Sequence, residues 1–447
     1  MGNQAHLMVA GKGTADRLKT GLASGKYHIE TVPADQTLIP LAARHRPNVL
    51  ILDGMQANAP EILQAMKADA TTRYIPVAVT VATGSTDRLR ALCDAGADDV
   101  FETGADPREF LARLRSLVRL SSIEAELVRR AATARDFGVT VETEATMRLP
   151  EQGFRMLVVG VDTKGFSALC PNLPRSDIRF IAEADPYRAR SRIENPDGEP
   201  PFDGALVFVR PGEAREKALY FCHAIRNDRR LFDLPLFVAA ETGAFAEITD
   251  AYAEGANVVA ATPVDCGFVE AHLRLLFRGR ALKQSFGRRL ADALDKKTAD
   301  ESGKIYSTEF LATHLRRIIQ DGKARGIGST ALLLFVPTIG EAAALYGNES
   351  SLVLRQQIAD WLGGLVRVED IVARCGSDEF LIVLPETAEA DADAVRRRIT
   401  GVLHQSEFRL SDNLPTGVNV YVQSGMTTIE PADTLDTLVS RASAKLG

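Results

Sequence analysis

The feature that most constrains this chain is a strand–helix rhythm that runs through it twice. From residue 6 to about 120, short apolar runs at His6 to Ala10, Val49 to Leu52, Ile75 to Val81 and Asp98 to Phe101 alternate with amphipathic helical stretches. From about 153 to 280 the rhythm returns, with apolar runs at Arg155 to Gly160, Ala205 to Val209, Leu236 to Ala239 and Asn257 to Ala260. Strands separated by helices pair in parallel with helices on both faces, so each half predicts an open, doubly wound α/β sheet. The wording repeats as well. Ala95-Gly96-Ala97-Asp98-Asp99-Val100 is answered by Glu254-Gly255-Ala256-Asn257-Val258-Val259, and Ile75-Pro76-Val77 by Leu234-Pro235-Leu236, which implies an internal duplication.

A chain of 447 residues has room for about three domains, each with its own core. The first α/β domain is placed at 1–125, with a linker at 126–150 that takes up part of a charged helical connector running from Ser121 to Arg135. The second α/β domain follows at 151–282, then a helical linker at 283–299. A third domain, 300–447, breaks the rhythm. It reads as strand Thr330 to Phe335, a helix to about Tyr346, a helix Glu349 to Leu365, a hairpin Ile371 to Leu384, an Arg-rich helix Ala390 to Leu403 and a last strand Val418 to Thr427. That order predicts an α+β fold.

A net charge of -6 lacks the broad positive field that a polynucleotide backbone requires, so no nucleic-acid partner is expected. Cys93, Cys170, Cys222, Cys266 and Cys375 are odd in number, scattered and never in a metal-ligand spacing, and read as free thiols. No apolar run approaches the ~20 residues needed to span a bilayer. The expectation is a soluble cytoplasmic protein with no membrane span, no metal and no cofactor.

The residues that bear on function lie in the third domain. Arg367 and Asp370 form an RxxD pair just ahead of Gly376-Ser377-Asp378-Glu379-Phe380. This pentapeptide resembles the GGDEF signature of diguanylate cyclases with its second glycine replaced, and the α/β halves resemble response-regulator receiver domains. The layout is similar to the PleD type of regulator: two flavodoxin-like receiver domains followed by an α+β, nucleotidyl-cyclase-like GGDEF domain.

The resemblance implies a cyclase site, and this sequence departs from it position by position. Joining two GTP molecules needs metal held by carboxylates, one of them at the end of the first strand, where the ungapped register puts Phe335. Of that pair only Asp378 survives. The guanine-selecting positions fall on Ala343 and Leu352, neither of which can hydrogen-bond through its side chain, and Ser307 and Thr308 replace the family's opening Asn-Arg. Ser377 brings a Cβ into a turn where the family's glycine permits positive φ. No catalytic residue is therefore assigned.

RxxD marks an inhibitory site in the family, where intercalated cyclic di-GMP docks. An Arg fork matches a guanine edge or a phosphate, and a carboxylate accepts from the guanine N1 and N2 hydrogens. Arg367 and Asp370 supply both halves, and Arg398 stands where family members add another Arg. Arg396 and Arg397 read as solvated helix face.

In the first receiver-like domain Asp53 ends its strand where a phosphoacceptor belongs. No carboxylate follows the first strand until Asp16, however, Val81 sits where Thr is expected, and Thr103 replaces the Lys. Phosphoacceptor and strand-end cap both stay open for Asp53. The second domain has no acceptor at all before Glu213. The reading is a catalytically inactive effector that binds cyclic di-GMP and engages protein partners through its receivers, with homodimerisation expected. The resemblance to inactive regulators of this type implies a cell-cycle role, recruiting regulated-proteolysis adaptors to a bacterial cell pole. An active cyclase and a ligand-free scaffold are the alternatives.

Overall fold

Strands that are apolar on both faces set the first half of the fold. The computed structural model describes residues 5–11, 27–145, 153–171, 173, 177–195, 199–228, 230–410 and 417–447. Strands β1 (Ala5–Ala10), β2 (Tyr27–Val32), β3 (Val49–Asp53), β4 (Val77–Val81) and β5 (Asp99–Glu102) form one sheet in the order β2-β1-β3-β4-β5. Its described helices are α1 (Leu38–His45), α2 (Ala59–Ala68), α3 (Thr86–Ala95) and α4 (Pro107–Asp136). The second half repeats it. Strands β6 (Phe154–Val159), β7 (Ile178–Glu183), β8 (Gly204–Val209), β9 (Leu236–Ala240) and β10 (Val258–Ala261) run in the order β10-β9-β8-β6-β7. Both orders are the flavodoxin-like 2-1-3-4-5 arrangement. Helices α5 (Thr163–Leu169), α6 (Pro186–Glu194), α7 (Glu213–Asn227) and α8 (Cys266–Asp292) complete the second half.

The duplication extends to side-chain caps. Asn48 accepts the His6 N–H at 2.9 Å ahead of β3, and Asp203 accepts the Arg155 N–H at 2.8 Å at the same place ahead of β8. Asp98 accepts the Val77 N–H and Asn257 the Leu236 N–H, each at 2.8 Å, and the cations Lys67 and Arg226 bind Asp98 and Asn257 in turn. A polar side chain tucked under a strand end satisfies an amide that the ladder leaves open.

By its contacts the chain divides into one unit of His6–Ser121 and Thr146–Gln284, and another of Met1–Ala5, Ser122–Ala145 and Ser285–Gly447. Within the first unit the two receiver-like folds dock on each other. Ala271 and Leu275 of α8 join the apolar cluster of Leu89, Leu92 and Val100. Around them Arg278 donates to the Gly96 carbonyl at 2.8 Å, Lys283 to Ser116 at 2.8 Å, and Arg90 pairs with Glu270 at 3.4 Å.

In the second unit β11 (Thr330–Phe335) is one of the two inner strands of an antiparallel sheet, β12-β13-β11-β16, with β12 at Ile371–Arg374, β13 at Glu379–Leu384 and β16 at Gln423–Thr428. The short strands β14 (Glu407–Phe408) and β15 (Val418–Asn419) pair apart from it. Around the sheet lie α9 (Thr308–Arg325), α10 (Thr338–Tyr346), α11 (Asn348–Leu365), α12 (Glu389–His404) and α13 (Leu435–Ser443). The connector read from sequence as a charged stretch is the continuation of α4. On one face Ile123, Leu127, Ala131 and Ala134 are buried. That spacing is one helical stripe, and it makes this stretch part of a core.

Candidate functional site: the hairpin and its flanks

The positions that the family resemblance assigns to a cyclase site hold side chains with structural work of their own. Phe335 ends β11 opposite Glu379 of β13 and Gln423 of β16, so the end of this strand presents an aromatic ring. The Asp378 carbonyl accepts the Val336 N–H at 2.9 Å, and its carboxylate lies against the first turn of α10. A Cβ on Gly340 there would meet Asp378 Oδ2 at 2.9 Å. A carboxylate at a helix N-terminus is favoured by the partial positive charge of the open amides. Among the described residues no group of three or more His, Cys, Asp or Glu side chains could hold a metal ion.

Neither Gly376 nor Ser377 adopts positive φ, so the turn makes no left-handed demand. What Gly376 supplies is room, since a Cβ there would come within 2.8 Å of Glu379 Oε2. Ser377 is exposed beside it, and Phe380 is fully buried in the domain core. Ser307 caps α9 by accepting the Phe310 N–H at 3.2 Å, and Thr308 donates to the Arg374 carbonyl at 2.7 Å. Ala343 is half-buried, and Leu352 is exposed.

The RxxD residues sit on the tight turn between α11 and β12. The Asp370 N–H donates to the Arg367 carbonyl at 3.1 Å, and one Asp370 carboxylate oxygen accepts the Arg367 N–H at 2.8 Å. Asp370 is therefore buried at 6% exposure, while the Arg367 side chain is exposed. Arg398, exposed on α12, donates to the Leu365 carbonyl at 2.7 Å, which places it two residues from Arg367 along the chain it touches. Arg396 and Arg397 instead pair with Asp393, at 2.7 and 3.1 Å. A cavity of about 170 Å³ opens beside the turn, lined by Arg367, Asp370, Val366, Lys304, Tyr306 and Arg130, among others.

Arg130, Lys304 and Tyr306 were not singled out in the sequence. For Arg130 a signal existed: with Glu126 it forms an i,i+4 pair on a helix whose other positions follow an apolar stripe. Burial works to raise the Glu126 carboxyl, but His314, Arg130 and Arg129 together hold it well below the usual carboxylate range. The ion is stabilised because its partners are packed around it.

In the first receiver-like fold Asp53 ends β3, pairs with Thr80 of β4, and accepts the Met55 N–H at 3.0 Å. Asp16 lies outside the described residues. Five residues beyond the equivalent caps Asn48 and Asp203, Asp53 is answered in the second fold by Phe208, 4% exposed in the core. At that position the second fold has a packed aromatic ring in place of a carboxylate.

Comparison with known proteins bears on the whole arrangement. Residues 298–447 match the family described as diguanylate cyclase, GGDEF domain. The chain is 25% identical to the response regulator PleD of Caulobacter vibrioides over 429 residues, covering 95% of this chain and 92% of PleD. A shorter likeness, 35% identity over 112 residues, covers 25% of this chain and 48% of the transcriptional regulatory protein KdpE of Mycobacterium tuberculosis. Among solved structures, the GGDEF domain of DgcB from Caulobacter crescentus in complex with c-di-GMP overlaps 34% of this chain and 87% of its own length, at 17% identity and a TM-score of 0.32. Two flavodoxin-like folds precede the segment that matches the GGDEF family, and in this layout the chain is similar to PleD along nearly its whole length.

Proposed function

We propose that this protein is a catalytically inactive GGDEF-domain effector that binds cyclic di-GMP at Arg367, Asp370 and Arg398. One contrast carries the reading. Around a single hairpin, the catalytic positions hold Phe335, Ala343 and Leu352, while two exposed guanidinium groups, Arg367 and Arg398, stand at the end of α11. Loss of metal and guanine contacts removes turnover. Retention of the arginine fork keeps the means to hold a guanine edge or phosphate. Asp370 shapes its own turn and lines the adjoining cavity, from which a guanine would meet its carboxylate.

The receiver folds then serve as protein-docking surfaces, with Phe208 replacing the acceptor of the second and Asp53 retained in the first as a turn cap. Binding proteins without phosphoryl chemistry needs only the preserved fold. An inactive cyclase domain with its RxxD retained behind paired receivers most resembles PopA. That resemblance implies recruitment of regulated-proteolysis partners at a cell pole, and a homodimer as the working form.

Calorimetry on the full-length protein tests the ligand. Cyclic di-GMP should bind the wild type, and Arg367→Ala should weaken it by about one to two orders of magnitude, since hydrogen bonds from a charged fork contribute about 1.5–3 kcal/mol each. With GTP and Mg²⁺ the same preparation should form no cyclic di-GMP. Wild-type affinity in the Arg367 variant, or no binding to wild type, would make the protein a ligand-free scaffold. Turnover abolished by Asp378→Ala would make it an enzyme.

A further inference from the structure

The turn that carries RxxD is held by a side chain from outside the family-matched segment. Arg130, on the last turns of α4, has a side chain only 4% exposed. Its Nη2 donates to the carbonyls of Glu369 and Asp370 at 3.1 and 3.2 Å, and its Nη1 to that of Val368 at 3.3 Å. Three consecutive carbonyls of the turn thus point at one guanidinium. Its Nε donates to Glu126 at 2.9 Å, and its Cζ lies 5.5 Å from the centre of the Tyr306 ring.

A planar fork with five donors can span such a set, whereas a lysine ammonium concentrates its donors at one point. The anchoring is equally specific. Glu126 is fully buried, fixed from the other side by Arg129 at 3.1 Å, and approached by His314 Nε2 at 3.1 Å. Arg129 is a neighbour in the same network, but its ion pairs beyond Glu126 go to Asp321 and Glu386.

We propose that Arg130 is a positioning residue for the RxxD site, a guanidinium clamp that fixes residues 368–370 so that Arg367 faces outward and Asp370 faces the cavity. The clamp rests on the cyclic di-GMP reading for its purpose but not for its geometry. The register of α4 thereby sets the ligand affinity of a turn that lies more than two hundred residues further along the chain. Linkage makes the relation reciprocal: a ligand that needs this turn conformation strengthens the Arg130 contact by the same factor.

The test uses the full-length wild type, Arg130→Met, Arg130→Lys and the control Arg129→Met. Two readouts are taken: amide hydrogen exchange across Val366–Ile371, and calorimetry with cyclic di-GMP. Arg130→Met should speed exchange across the turn and weaken binding, each by about tenfold or more, because buried carbonyls lose charged donors. Arg130→Lys should fall between Arg130→Met and wild type, and Arg129→Met, which shares Glu126 with Arg130 but not the carbonyls of the turn, should shift both readouts clearly less than Arg130→Met does. Unchanged exchange in Arg130→Met overturns the clamp whatever the affinity, as does equal loosening by Arg129→Met. If Arg130→Met does not fold, Arg130→Lys decides: exchange across the turn faster than in wild type supports the clamp and wild-type exchange overturns it. If wild type does not bind cyclic di-GMP, the function proposed above falls, while the exchange arm still decides the role of Arg130.

Discussion

Arg367 and Asp370 share a motif but not an environment. Asp370 is buried and accepts an amide of its own turn, so Asp370→Ala removes a charged acceptor and leaves that N–H without it, at a cost of about 1–3 kcal/mol. Arg367 is exposed, and its side chain can be truncated within about 0.5 kcal/mol. Chemical denaturation should therefore separate the two: a lowered midpoint for Asp370→Ala and a wild-type midpoint for Arg367→Ala. Equal midpoints would show that the Asp370 carboxylate does not shape the turn. The residue types and their three-residue spacing are legible in the sequence. Which member turns inward is not, because it depends on the hydrogen bonds of the fold around it.

The elements that escape sequence reading are edge strands, caps and continuations. Strands β2 and β7 lie at sheet edges with mostly half-buried residues, so they lack the unbroken apolar run that marks β3 or β8. Helix α13 is short and announces itself only through the reciprocal cap of Thr434 and Thr437. It packs so closely on β16 that a Cβ at Gly425 would stand 2.0 Å from the Ala442 carbonyl oxygen. Backbone cannot yield there as a flexible side chain can, so Gly425→Ala should cost the GGDEF unit about 3 kcal/mol or more. The check is its melting temperature. An unchanged value would mean that α13 can move off the sheet without loss.

At the scale of the whole molecule, the docking of the two receiver-like folds carries a pH dependence. His272 of α8 is 1% exposed against the Val100 carbonyl, and burial, followed by the Arg113 charge, pushes it down from 6.5 to about 4, with Asp99 opposing. The unfolded chain takes up this proton near pH 6.5 and the folded chain only near 4, so the stability tied to neutral His272 is whole above 6.5 and lost as pH falls toward 4. By about pH 5 the loss should reach about 2 kcal/mol, and His272→Phe should flatten that part of the pH profile of the melting temperature. A variant that tracks wild type would remove His272 from the account. The sequence by itself determined the architecture, because apolar runs of strand length alternating with amphipathic helices leave few ways to bury their faces, and the same runs recur in both halves. It also determined that the end of β11 offers no metal ligand at Phe335, since a phenyl ring cannot ligate a metal in any fold. Tertiary structure alone decided that α4 runs into the core around the RxxD turn, that Arg130 gathers the turn's carbonyls, and that Phe208 packs in the second core where the first fold has Asp53. Those contacts join residues far apart in the chain, and local periodicity holds no record of which distant backbone a buried guanidinium will meet.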